Sequence, residues 1–332
     1  MTKKIVKNSK NQSVSLDPKR HLGKITFKGG KVLRDIFFCL FLILQWIGCT
    51  SVQRGTSWKE RAVFLAFSGN YPIVELLVYP SEKNYAPPIK LRFLLDTGSN
   101  LSFVRKDFLP VRKAPEKYIS YTINGATEIN IHKLLLELDT ETGHKLSSEQ
   151  LFHLIDFRKE FPFDGILGND FLQKFTLLYN HPEGLYVISG DVKELEKDFT
   201  IVNVLPEIKS HLVIPVELEK SLVYFLLDTG AEISYLDEEH IKKLKLDAYT
   251  TRKYSNFTGD IRESNTYILP TLCVQENLCS DNVELLGNQN LRHFLGQGSI
   301  RVSGLFGMNW LKNYYLLVKH PERKVLLKSK RG

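Results

Sequence analysis

The 332-residue sequence is poor in the features that usually betray a partner or a metal. It has four cysteines, and the two in its body, Cys273 and Cys279, are spaced C-x5-C with no accompanying histidine pair, which fits no common zinc site. It has no apolar run of membrane-spanning length. The strongest run, residues 36–47, covers 12 residues, where a spanning helix needs about 20. It also lacks a basic stripe with interleaved aromatics, which sets nucleic acid aside as a partner. The formal net charge of +8 does not point back to one. Ten Lys or Arg and only two acids fall in residues 1–48, and the rest balances at 35 bases (45 less 10) against 35 acids (37 less 2). Helical periodicity is scarce too, confined to residues 236–245 and to a turn or two at 169–175 and 309–314.

What is present begins with a leader. Basic residues up to Arg34 precede IFFCLFLILQWI, the pattern of a targeting segment with a short apolar core. The segment ends in WIGC, which resembles the bacterial lipobox, with Trp46 and Ile47 departing from its usual residues. That resemblance implies a leader over residues 1–48, lipidation at Cys49, a polar tether over 49–58, and a bacterial envelope lipoprotein facing the periplasm or the cell exterior. An uncleaved signal anchor is the alternative. In an oxidising compartment Cys273 and Cys279 either close a small disulfide loop or remain two half-buried thiols.

The body alternates short apolar runs with turn signals, which predicts a mostly β protein. Asn124-Gly125, set between alternating β-formers, predicts a hairpin. The body also repeats itself. FLLDTG occurs at 93–98 and again 132 residues later at 225–230. DGILGNDFLQKFTLLYNHPEGLYVI (164–188) aligns with SGLFGMNWLKNYYLLVKHPERKVLL (303–327), with 8 of 25 positions identical. The chain therefore reads as two halves, residues 59–205 and 206–332. Each runs through a strand, FLLDTG, hairpins, an apolar-apolar-glycine strand, a short helix and a closing hairpin.

A single Asp-Thr-Gly is a weak signal. Two in matching contexts, each followed by apolar-apolar-glycine, is a specific one. Asp96-Thr97-Gly98 with Ile166-Leu167-Gly168, and Asp228-Thr229-Gly230 with Leu305-Phe306-Gly307, resemble the aspartic peptidase superfamily, nearest its retropepsin-like branch, over about residues 70–330. The resemblance implies an all-β, bilobed, pseudo-twofold acid-protease fold, built in one chain from two retropepsin-like halves with short helices. It implies an endopeptidase in which Asp96 and Asp228 activate one water, and in which the hydroxyls of Thr97 and Thr229 lock the two loops across the twofold axis. Hairpin flaps over the cleft are expected at residues 120–128, tipped by Asn124 and Gly125, and at 256–262, tipped by Gly259 and Asp260.

The chemistry stands without the family. Two carboxylates held close share one proton; the ionised one takes a proton from water and the protonated one donates to the scissile carbonyl. Such a pair calls for no metal and no cofactor. Gly98 and Gly230 let the loops turn and approach, and Gly168 and Gly307 let a second strand pass beneath them. Ser99 against Ala231 is the first difference between the halves. A serine hydroxyl on the neighbouring carboxylate would favour its charged form, making Asp96 the more readily ionised acid. The repeated His181 and His320 read as turn residues rather than a metal pair, and Asp170 and Asn309 as caps or ties for the short helices. The expected partners are a protein or peptide substrate and, through the leader, a membrane; the body is expected to act as a monomer. An inactive peptide-binding lipoprotein with the same cleft is the alternative function.

Overall fold

The computed structural model describes residues 57–68, 71–79, 87–108, 117–122, 125–139, 145–157, 160–190, 192–206, 208–209, 211–255, 261–288 and 300–330. The leader, Cys49, all but the last two residues of the expected tether, Asn124, Gly259 and Asp260 lie outside them.

The first half supplies β1 (Ala62–Ala66), β2 (Ile73–Tyr79), β3 (Ile89–Leu95), β4 (Phe103–Arg105), β5 (Lys117–Thr122), β6 (Gly125–Asp139), β7 (Lys145–Ile155), β8 (Gly165–Leu167), β9 (Thr176–Asn180), β10 (Gly184–Ile188) and β11 (Thr200–Val202). The second supplies β12 (Val213–Leu218), β13 (Ser221–Leu227), β14 (Ser234–Asp237), β15 (Ala248–Ser255), β16 (Ile261–Gln275), β17 (Leu278–Asn288), β18 (Gly304–Phe306), β19 (Tyr314–Lys319) and β20 (Lys324–Ser329). The chain is thus mostly β, and the two halves share one topology. The orders β2-β3-β8-β4-β7-β6-β5 and β12-β13-β18-β14-β17-β16-β15 correspond strand for strand. Contacts between β2 and β6, and between β12 and β16, close six strands of each into a barrel. Closure leaves fewer unpaired edges and turns alternate side chains into a core.

A third sheet, β1-β10-β9-β19-β20-β11, draws on both halves. Its strands are apolar on both faces because both are covered. Leu177, Tyr179, Leu316 and Val318 join the main core with the barrels. Leu178, Ile188, Leu317 and Leu326 face the other way, under Trp58, Val192 and Phe199. The antiparallel β9–β19 register sets Lys319 opposite Thr176, so His181 and His320 lie at opposite ends of the pair.

Three local features qualify the sequence reading. The helix expected over 236–245 is shorter, Glu238–Lys243, because Leu236 and Asp237 are already committed to β14 by pairing with β17. Asp237 then caps the helix, its carboxylate accepting from the His240 N–H at 2.9 Å. Cys273 and Cys279 face each other across the β16–β17 pair and are joined by a disulfide. Gly125 opens β6 already paired with Thr122, and β15 and β16 converge through Ser255 and Ile261 towards residues 256–260. Among the described residues no helix is long and apolar enough to cross a membrane.

Candidate active site

Asp96 and Asp228 each follow the last residue of a fully buried strand end. Phe93-Leu94-Leu95 of β3 run parallel to Gly165-Ile166-Leu167 of β8, and Phe225-Leu226-Leu227 of β13 parallel to Gly304-Leu305-Phe306 of β18. Strands buried on both faces are apolar at every position rather than alternately, which accounts for Phe-Leu-Leu. The ladder ends at the acids themselves: the Asp96 N–H donates to the Leu167 carbonyl and the Asp228 N–H to the Phe306 carbonyl, both at 3.0 Å. Gly165 and Gly304 are obligatory here, since a Cβ would stand 2.4 Å from the Phe93 ring and 2.3 Å from the Phe225 ring.

The two loops then meet. A Cβ on Gly98 would lie 2.3 Å from Cγ of Asp228, and one on Gly230 would lie 2.5 Å from Cγ of Asp96. Each acid is therefore packed against the glycine of the other loop. The threonines interlock. The Thr97 N–H donates to Thr229 Oγ1 and the Thr229 N–H to Thr97 Oγ1, both at 3.1 Å. The Thr97 hydroxyl donates onward to the Leu227 carbonyl at 2.8 Å, and the Thr229 hydroxyl to the Leu95 carbonyl at 2.6 Å. Both threonines are buried, so these four bonds satisfy groups that water cannot reach.

Each carboxylate is also held by its own loop. Asp96 Oδ1 accepts from the N–H groups of Gly98 (2.8 Å) and Ser99 (3.0 Å), and Asp228 Oδ1 from those of Gly230 (2.9 Å) and Ala231 (3.1 Å). Burial pushes both carboxyls above their ordinary range. Asp228 is pushed further. Besides burial it feels the Asp96 charge and donates its proton to Asp96, while the same bond favours the charged form of Asp96. Both shifts favour a pair that keeps one proton, with the neutral form of Asp228 favoured the more strongly. The Ser99 side chain is not the cause, contrary to the sequence expectation. Its hydroxyl donates to the Leu101 carbonyl at 2.8 Å, and only its backbone N–H reaches Asp96, as that of Ala231 reaches Asp228.

Behind the loops lies a layer that motif reading missed in part. Ser102 and Ser234, six residues after Asp96 and Asp228 respectively, are fully buried and accept the Gly168 and Gly307 N–H groups at 3.1 and 3.0 Å. Their hydroxyls donate to Asp170 (2.6 Å) and Asn309 (2.8 Å). Asp170 and Asn309 thus tie the short helices Asn169–Leu172 and Met308–Leu311 to the neighbouring strand rather than capping them. Gly168 and Gly307 are needed because a Cβ would fall 2.4 Å from the Leu101 carbonyl oxygen and 2.6 Å from the Ile233 carbonyl carbon.

The halves then diverge. Asn169 Nδ2 donates to the Thr97 carbonyl at 2.8 Å, whereas Met308 occupies the matching place. Buried His211 places Nε2 3.1 Å from the Gly98 carbonyl, which requires the Nε2–H tautomer; its counterpart Tyr71 donates to Glu232 at 3.0 Å. Burial holds His211 neutral, its pKa lowered to about 4. Tyr235, also unforeseen, is half-buried, feels the Asp228 charge and packs edge-on against Tyr254 of β15 at 5.9 Å.

Comparison with known proteins returned no matching family model and no matching curated protein.

Proposed function

We propose that the chain is an aspartic endopeptidase with a single-chain, pseudo-twofold acid-protease fold. The observation that carries this reading is the reciprocal packing of Asp96 against Gly230 and of Asp228 against Gly98. A water between the carboxyls loses a proton to Asp96 as it attacks the scissile carbonyl carbon, and Asp228 gives its proton to the carbonyl oxygen. The tetrahedral intermediate then collapses, with a proton passing to the leaving amine. Fixed backbone donors and the threonine lock hold the acids in register, so little reorganisation accompanies the step.

The leader supports a second part of the reading: tethering to a bacterial envelope through Cys49 or through an uncleaved anchor. The flap function of the β5–β6 and β15–β16 hairpins is likewise part of the proposal. Tyr254, on the β15 arm, packs against Tyr235, which feels the Asp228 charge, and this contact supports the reading.

The test is cleavage of a peptide library by the purified full-length chain at several pH values, beside Asp96→Asn and Asp228→Asn. Each substitution is expected to lower kcat by at least about a thousandfold, since removing either role leaves the barrier higher by about 4 kcal/mol. Cleavage surviving in either variant overturns the dyad. Tight peptide binding with no cleavage by the parent chain favours an inactive peptide-binding lipoprotein instead.

A further inference from the structure

A cavity of about 330 Å³ opens beside the first Asp-Thr-Gly loop, whose Thr97 and Gly98 carbonyls are held by two of its lining residues. It is lined by Asn169 and Gln173 from the short helix, Lys209 and His211 from the segment before β12, and His320 and Arg323 from the turn between β19 and β20, with Pro206, Leu212 and Pro321 between them. Its volume is near the lower end for small-molecule sites.

The charge of the lining is one-sided. Lys209 and Arg323 bring two cations, and none of the described residues in the lining is a carboxylate. The Arg323 guanidinium is fixed by backbone carbonyls alone. It donates to those of Lys209 and Ile208 at 2.6 Å, Leu205 at 3.2 Å and His211 at 3.3 Å. Its buried Nε–H has no partner among the described residues, and neither it nor Lys209 forms an ion pair with them. Carbonyl dipoles fix such a cation but leave its charge uncompensated, which favours a mobile anion nearby.

This lining is not an automatic product of the duplicated fold. On the matching side of the molecule Asn169 is replaced by Met308, Gln173 by Lys312, His211 by Tyr71 and Arg323 by Gly184. The correspondence of the last two segments follows from Leu227 donating to the Leu212 carbonyl as Leu95 donates to that of Pro72, and from the paired His-Pro-Glu turns. Although Lys312 keeps a cation on the other side, Asn169, His211 and Arg323 are thus peculiar to one side. That side also touches the chemistry, because Asn169 and His211, both in the wall, hold the Thr97 and Gly98 carbonyls.

We propose that this cavity is a binding site for a small oxyanion, a carboxylate or a phosphate group, whose occupancy adjusts the first catalytic loop through Asn169 and His211. The site stands on geometry independent of the peptidase reading. The test therefore begins with binding: calorimetric titration of the full-length chain with inorganic phosphate and, in a separate arm, with citrate as the carboxylate probe. Saturable binding of about one anion per chain is expected for at least one probe, with the preferred one identifying the head group. Lys209→Ala removes an exposed side chain that the fold does not need, and it should weaken binding about tenfold, with Lys209→Glu abolishing it. Asp96→Asn should leave binding intact, which separates this site from the acids even if no peptidase activity exists. No saturable binding of either probe, or equal affinity in the parent and Lys209→Glu chains, overturns the proposal.

Discussion

Ser99 and Ala231 illustrate how a residue can mislead when read without its backbone. The hydroxyl is the evident difference between the two loops, yet it turns away to the Leu101 carbonyl, and the carboxylates are served by equivalent N–H groups on both sides. The asymmetry of the acids is carried instead by their shared proton, in a buried pair where one charge opposes the other. Ser99→Ala is therefore expected to leave the acidic limb of the pH dependence of kcat/KM unmoved, because that limb belongs to the coupled pair. A displacement of the limb by about half a unit or more would restore the hydroxyl to the role that the structure withholds.

At the scale of elements, the strand that ends at each acid and the loop that follows work as one unit with their counterparts. The Thr97 hydroxyl accepts from one backbone N–H and donates to one carbonyl of the other half, and Thr229 returns both bonds. Thr97→Val keeps the shape and strands the Thr229 N–H and the Leu227 carbonyl without partners. A loss of about 1–3 kcal/mol in denaturant unfolding is expected, and the same for Thr229→Val. The double variant should cost less than the sum of the two, because each hydroxyl stabilises a network that the other completes. Strict additivity would show that the halves are not locked through these residues. This unit was legible in the sequence because duplication wrote it twice. The same duplication carried Ser102 and Ser234, but a lone serine at the start of a strand has no chemical signature until its burial is seen. Tyr71 and His211 were not legible at all. They lie just before β2 and β12, where the repeat has faded, and their partners are 161 and 113 residues away. The helix at 238–243 was placed but overextended, since periodicity cannot tell that Leu236 already serves a sheet.

At the scale of the whole molecule, the two barrels are joined by the shared six-stranded sheet and by the turns and segments around it, and several of those joints contain buried histidine. His211 lies under Gly98, and His320 lies at the end of β19 with Arg323 beside it. Burial lowers both from the ordinary histidine value of 6.5 to about 4, with the Arg323 charge adding to the effect at His320. His153, buried against Phe103, shifts in the same direction for the same reason. Between these limits the unfolded chain binds protons that the folded chain refuses. The stability these histidines confer is therefore full above about pH 6.5, falls as pH drops, and levels off once pH passes below the folded-state values near 4. The loss amounts to about 3 kcal/mol for each of His211 and His320, a large part of the stability of an ordinary domain. Both acids, by contrast, are raised by burial, which extends the one-proton state of the pair upward in pH. On stability the raised acids act against the histidines, because the folded chain keeps a proton that the unfolded chain has already lost. Thermal unfolding followed by circular dichroism should show the midpoint falling steadily from about pH 6.5 to 4, with His320→Gln flattening part of the slope. A midpoint independent of pH across that window would mean that these histidines find their protons in the folded chain, and the joints between the barrels would then be far less dry than their burial implies.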